Sequence, residues 1–283
     1  MSGIVHHDGN WREPASGRMY RYRLWRPTAP RTLLVLLHGF GEHGGRYAPI
    51  AERFAADGLA VAVPDLWGHG RSGGARGDLD DPMACVEHLH RLTEAVLLPA
   101  SGCSRHALFG HSFGGLAAIL WALRFPQRLT RLIAQSPLLE VGFPLPAWKI
   151  WIAQCLAPLW PTFRVPLQLD LTYLSHQSEV IASYRADPLV HAVMSVRTYW
   201  ALLRARDWAV QQAAALQIPL LLLCGGDDRI ISLSHAQQWA ARVQCEKRVV
   251  IFPGMYHELH HEAVSEEALR LVAQWSLTDA PAA

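Results

Sequence analysis

Six short runs of almost unbroken apolar residues restrict the fold of this chain most: residues 32–37 (TLLVLL), 59–63, 106–110, 129–135, 219–224 and 248–252. A strand with one face in water alternates apolar and polar residues. A strand covered on both faces does not, and sheets built from such strands are mostly parallel. Between the runs lie amphipathic stretches at 47–56, 83–97, 113–125, 234–243 and 262–274. This strand–helix alternation specifies an α/β fold, a mostly parallel central sheet with helices on both faces. The first 27 residues, with MYRYRLW at 19–25, read instead as an antiparallel hairpin at the sheet edge. Its arginines (Arg12, Arg18, Arg21, Arg23, Arg26) are read as the solvated face of an edge strand.

The chain has 283 residues, 51% of them hydrophobic and 18% charged, a globular composition that buries a sizeable core. A net charge of +2, with no basic stripe, excludes nucleic acid as a partner. The five cysteines are odd in number and widely spread, and read as buried apolar thiols of a reducing compartment. The N-terminal stretch MSGIVHHDGNWREP lacks the basic start and apolar core of a signal peptide. Residues 141–161 are the most apolar long segment, but Lys149 and four prolines argue against a membrane span. The expected location is the cytoplasm.

One region breaks the alternation. Residues 137–188 hold seven of the 18 prolines together with Phe143, Trp148, Trp151, Trp160 and Phe163. An insertion after a strand of such a sheet sits over the strand ends where ligands bind, so residues 138–191 are expected to form a cap. Residues 1–137 and 192–283 then form the core.

The sequence ALFGHSFGGLAAI (107–119) places Gly110-His111-Ser112-Phe113-Gly114 between a strand-like and a helix-like stretch. At such an elbow the serine takes a strained backbone conformation and its flanks must be glycine. An N-cap role would explain Ser112 but not the glycine pair, so Ser112 is expected both to cap the helix and to attack a substrate. A serine needs a base, and the base needs an orienting acid, in the chain order Ser, acid, His. Asp227 and Asp228 follow one late strand, and His257 follows the last, with His260 and His261 as rivals. The oxyanion donors are expected to be the backbone N–H groups of Phe113, directly after the nucleophile, and of Phe40, after TLLVLLHG.

Five blocks in this order, HGFGEHGGRY (38–47), DLWGHGRSGG (65–74), GHSFGG (110–115), CGGDDRI (224–230) and GMYHELHHE (254–262), resemble the α/β-hydrolases of the monoacylglycerol lipase and lysophospholipase type. The resemblance implies an α/β-hydrolase fold with Ser112 as nucleophile, His257 as base and Asp228, which precedes Arg229, as acid. Phe40 and Phe113 take the oxyanion positions. It further implies a lid forming an apolar acyl tunnel with transient membrane contact, and a single-chain lipid ester, foremost monoacylglycerol, as substrate. No metal and no organic cofactor is called for.

Other readings compete. His257-Glu258-Leu259-His260-His261 formally matches the H-E-x-x-H zinc motif, but it follows a strand and a Pro-Gly turn, so His257 is expected on a loop. A lysophospholipase, a general carboxylesterase, a serine exopeptidase or a cofactor-free haloperoxidase would share the elbow. The exopeptidase would need acidic groups in the cap, where only Glu140, Asp170 and Glu179 are available. A non-enzymatic binding module is disfavoured because every residue the chemistry needs is present.

Overall fold

The computed structural model describes residues 3–142, 147–167 and 169–278. Phe143 and the prolines at 144 and 146, which helped to define the cap, lie outside the described residues.

A hairpin of β1 (Val5–Arg12) and β2 (Met19–Arg26) opens the chain. Then follow β3 (Leu33–Leu37), α1 (Ala48–Ala56), β4 (Ala60–Pro64), α2 (Pro82–Leu92), α3 (Leu98–Ser101), β5 (His106–His111), α4 (Phe113–Arg124) and β6 (Leu129–Gln135). The excursion beyond β6 carries α5 (Ala147–Leu156), β7 (Arg164–Pro166), α6 (Ser178–Ala186), β8 (Val193–Ser195) and α7 (Val196–Gln211). The chain returns through β9 (Leu220–Gly225), α8 (Leu233–Arg242), β10 (Lys247–Phe252) and α9 (Ser265–Leu277).

The described residues form one eight-stranded sheet in the order β1-β2-β4-β3-β5-β6-β9-β10. All neighbours from β4 to β10 run parallel; β2 lies antiparallel to β4, and β1 to β2. The six apolar runs are the six parallel strands, as continuous apolarity requires. In β3 the period of two divides the side chains between two cores. Leu33, Val35 and Leu37 join the larger cluster with α2, α4 and α8, while Leu34 and Leu36 join the cluster of α1 and α9.

Of the five hairpin arginines, Arg12 and Arg26 are exposed as expected, and the other three are engaged in ion pairs. Arg23 reaches the fully buried Asp65 at 2.9 Å, Arg18 pairs with Asp80 at 2.6 Å and Arg21 with Asp8 at 2.7 Å. Two of the partners, Asp65 and Asp80, lie in the segment after β4, and the third, Asp8, lies on the neighbouring β1. The cysteine expectation holds only in part. All five are free, but Cys155 is exposed on α5, and Cys103 and Cys245 are half-buried.

The 16-residue α7 has no counterpart among the amphipathic stretches read from the sequence. It starts where the Ser195 hydroxyl accepts from the Thr198 N–H. The loop after β4 is tied to this start: Asp78 accepts from Ser195 Oγ at 2.7 Å and from Arg197 Nε at 2.7 Å, and Leu79 N–H donates to Thr198 Oγ1 at 2.7 Å. Asp78→Ala removes the carboxylate to which the Ser195 hydroxyl and Arg197 both donate and is expected to cost about 1–3 kcal/mol. Urea unfolding would measure this, and an unchanged midpoint would exclude Asp78 as an anchor.

Candidate active site

The turn between β5 and α4 sets the site. Ser112 sits there at φ 55°, ψ −117°, a region that residues with a side chain rarely enter. The flanks explain the glycines. A Cβ on Gly110 would lie 2.7 Å from the Gly115 nitrogen, and one on Gly114 would lie 2.6 Å from the His38 carbonyl oxygen. Ser112 occupies the N-cap position of α4, yet its side chain makes no capping hydrogen bond. The expectation that it also caps the helix is therefore corrected: at this φ the hydroxyl turns from the helix and faces the cavity.

Asp228 and His257 arrive from the ends of β9 and β10. His257 Nδ1 lies 2.8 Å from Asp228 Oδ2, with both side chains 3% exposed. The other oxygen of Asp228 accepts from the N–H groups of Ile230 and Ile231 at 2.9 and 3.0 Å, which fixes the carboxylate. Asp227, its sequence neighbour, is exposed. The rival histidines are engaged elsewhere, His260 Nδ1 with Gln135 and His261 Nδ1 with Glu258.

Burial alone disfavours a charged His257. The charge and hydrogen bond of Asp228, with Glu258 and Glu42 further off, outweigh it and raise the imidazole above its ordinary value. Burial likewise disfavours the Asp228 carboxylate, and His257 with the two backbone donors holds it below the usual range.

Phe40 and Phe113 stand side by side, ring centroids 6.0 Å apart, where the loop after β3 meets the start of α4. The Phe113 N–H is the first of its helix, so no carbonyl of that helix lies within its reach. Gly39 closes this corner: a Cβ there would lie 3.4 Å from Ser112 Cβ. Its N–H donates to Glu42 Oε1 at 2.6 Å.

The sequence reading assigned no part to the buried group behind that loop. Arg46 pairs with Glu42 and, at 3.0 Å on both guanidinium nitrogens, with Glu258; Tyr47 donates its hydroxyl to Glu42 at 2.8 Å. Glu42, Arg46 and Tyr47 all lie within HGFGEHGGRY, so the block itself was the available signal. Glu258, His260 and His261 approach one another as metal ligands might be spaced. Arg46 and His261 occupy the Glu258 oxygens, and of the motif's two histidines His261 ends a 3-10 turn (Leu259–His261) while His257 precedes it, so the helical spacing of a zinc motif is absent.

Ser112 and His257 open on a cavity of about 1220 Å³. Small-ligand pockets typically span ~300–1,000 Å³, so a long substrate fits. Ile150, Ala153 and Leu156 of α5 line it at three-residue spacing, opposite Leu138, Leu202 and Ile230. Its carboxylates (Glu42, Glu140, Glu258) are each paired with an arginine, Glu140 with Arg206 at 2.9 Å.

A parallel sheet whose strand ends carry a glycine-flanked serine elbow and a buried Asp–His pair defines the α/β-hydrolase class. The chain belongs to the family described as "Serine aminopeptidase, S33", whose model matches residues 28–264. It is 35% identical over 257 residues to the monoacylglycerol lipase of Mycolicibacterium smegmatis, covering 90% of this chain and 91% of that protein. It is 31% identical over 253 residues to the monoglyceride lipase of Homo sapiens, covering 88% and 82%. The solved monoacylglycerol lipase of Paleococcus ferrophilus superposes with a TM-score of 0.80 at 27% identity, covering 97% of this chain and 98% of that one.

The Asp228–His257 geometry predicts an imidazole that titrates above the ordinary histidine value. In Asp228→Asn, burial is left unopposed by that charge and the titration moves down. Histidine ¹⁵N spectra across pH would report this, and coincident curves for the two proteins would show that the pair is uncoupled.

Proposed function

We propose that the chain is a serine carboxylic-ester hydrolase that releases the fatty acid from single-chain lipid esters, foremost monoacylglycerol. In this reading Ser112 Oγ attacks the ester carbonyl while His257 Nε2 takes its proton. Asp228 holds the Nδ1–H and stabilises the imidazolium. The N–H groups of Phe40 and Phe113 receive the oxyanion, a donor pair in which each member is typically worth about 10²–10³ in rate. Collapse of the tetrahedral adduct passes the His257 proton to the departing glycerol oxygen. Water, deprotonated by His257, then frees the acyl chain and restores Ser112.

The observation that carries this reading is the pairing of the site with its cavity. A serine and an Asp-held imidazole line one large space with aliphatic walls and no unpaired carboxylate among its described lining residues. An acyl chain suits such walls. A peptide N-terminus, which the family description brings to mind, would need a free carboxylate, and Glu42, Glu140 and Glu258 are each neutralised by an arginine.

Residues 138–191 serve in this reading as the cap, and the cap as the contact with lipid. Trp148, Trp151 and Trp160 are 61%, 65% and 57% exposed and Leu159 is 83% exposed, on and just beyond α5. Exposed tryptophans beside aliphatic side chains suit the headgroup boundary of a bilayer. No helix among the described residues is long and apolar enough to cross a membrane. The proposal is therefore a cytoplasmic enzyme that touches membrane surfaces transiently.

Fatty-acid release from monoacylglycerols of graded chain length, beside diacylglycerol, lysophosphatidylcholine and short p-nitrophenyl esters, tests the assignment. Long-chain monoacylglycerol is expected to be the best substrate, with activity lost in Ser112→Ala and unaffected by EDTA. Asp228→Asn is expected to lower kcat by about 10⁴ and Asp227→Asn to leave it unchanged. Cleavage of short activated esters alone would remove the lipid assignment, and sensitivity to EDTA would reopen the metal reading.

Trp151→Ser combined with Leu159→Ser is expected to weaken sedimentation with phospholipid vesicles while a short soluble ester is cleaved as before. Unchanged sedimentation would remove the membrane contact.

A further inference from the structure

Gln135 ends β6, a strand whose other late residues are apolar, and its side chain is fully buried. It stands in register with His111 of β5, the residue before Ser112. Its amide nitrogen lies 3.0 Å from His111 Nδ1 and 2.7 Å from His260 Nδ1. An amide NH₂ has two protons to give, and here it meets two ring nitrogens. The opposite amide orientation would turn the oxygen to both rings and strand two N–H donors. The observed one leaves Oε1 and His260 Nε2 without a partner among the described residues, one N–H donor rather than two.

A ring nitrogen that accepts a hydrogen bond carries no proton. Both rings are then neutral with the hydrogen on Nε2, and neither can become an imidazolium without breaking its bond to Gln135. The three histidines lie close together: His111 is 4.6 Å from His257, tilted at 55°, and 4.9 Å from His260, edge-on at 77°, centroid to centroid. We propose that Gln135 is a positioning residue that fixes His111 and His260 as neutral Nε2–H tautomers, leaving His257 as the histidine of the three that takes up a proton. The proposal rests on the reading of His257 as the general base.

The surroundings act in the same direction as this pair of hydrogen bonds. His111 faces His257, Glu42, Glu258 and Asp228; His260 faces His261, His111, Glu258 and Arg46, with the Tyr47 ring against it. The carboxylates in these sets draw protons toward all three rings. Burial opposes them most strongly, and His257 and Arg46 add to it, so His111 is pushed down to about 3 and His260 well below its ordinary value. A second imidazolium beside His257 would oppose the charge that ester attack creates there.

The test reads the tautomers directly. In wild type, ¹⁵N-histidine spectra are expected to show unprotonated Nδ1 and protonated Nε2 at His111 and His260, at a pH where the activity is full. Gln135→Glu keeps the shape and, once ionised, can only accept, so Nδ1 of both rings becomes protonated. The added negative charge raises the proton affinity of the cluster, and the acid limb of kcat/KM moves up by about one pH unit or more. Protonated Nδ1 in wild type would overturn the proposal. So would tautomers that switch in Gln135→Glu while the pH profile stays fixed. If Gln135→Glu does not fold, the wild-type spectrum decides, and the near-isosteric Gln135→Met is expected to show mixed tautomers with a fall in kcat and little change in KM. Full activity in Ser112→Ala would sink the hydrolase reading but leave the tautomer result readable.

Discussion

A residue with a side chain held at φ 55° costs on the order of 1–3 kcal/mol, and at Ser112 three elements together enforce it. The Ser112 N–H donates to the Gln135 carbonyl of β6 at 3.0 Å. Its own carbonyl accepts from Leu116 within α4 at 3.1 Å and from Leu138 at 2.9 Å. Gly114 lets α4 touch the carbonyls at the end of β3, and Gly115 packs on Pro137. The same contacts therefore fix the elbow, the loop bearing Phe40 and the point from which the chain leaves for the cap.

The second constraint is electrostatic. Glu42, Glu258, Asp228 and Arg46 lie out of water around the cavity, and each needs a fixed partner there, because an unpaired buried charge is costly. Arg46 answers two carboxylates, His257 answers Asp228, and Gly39 and Tyr47 supply further donors to Glu42. The result is a cavity lined both by carboxylates paired with arginine and by aliphatic side chains. Such a site favours an uncharged ester with one polar end over a charged amine or carboxylate.

The parallel sheet was legible because strands covered on both faces cannot hide their apolarity; β3, with every residue buried, is the clearest case. The elbow was legible because only glycine can flank it. Helix α7 was not, since VRTYWALLRARDWAVQ buries a narrow stripe (Val196, Thr198, Ala201, Leu202, Ala209) and sets Arg197, Arg204 and Arg206 between those positions. Adjacent aspartates cannot be told apart by composition; the resemblance, through the following Arg229, implied Asp228, and its carboxylate lies 2.8 Å from His257 at the end of β9. The hydroxyl of Ser112 was misread as a cap because capping preference ignores a positive φ. Gln135 carried no signal, because a polar residue closing an apolar strand acquires meaning only from what the neighbouring strand places beside it. The hairpin arginines were read as solvated because their partners, Asp65 and Asp80, lie far away in sequence.

The central claim is that Ser112 forms a covalent adduct through an acyl-binding cavity. Intact-mass and peptide mass spectrometry after treatment with a long-chain alkyl fluorophosphonate tests it most directly. One adduct per chain is expected, confined to the peptide containing Ser112, and slowed when monoacylglycerol competes. An adduct on another residue, or none while the ester is still cleaved, would contradict the account.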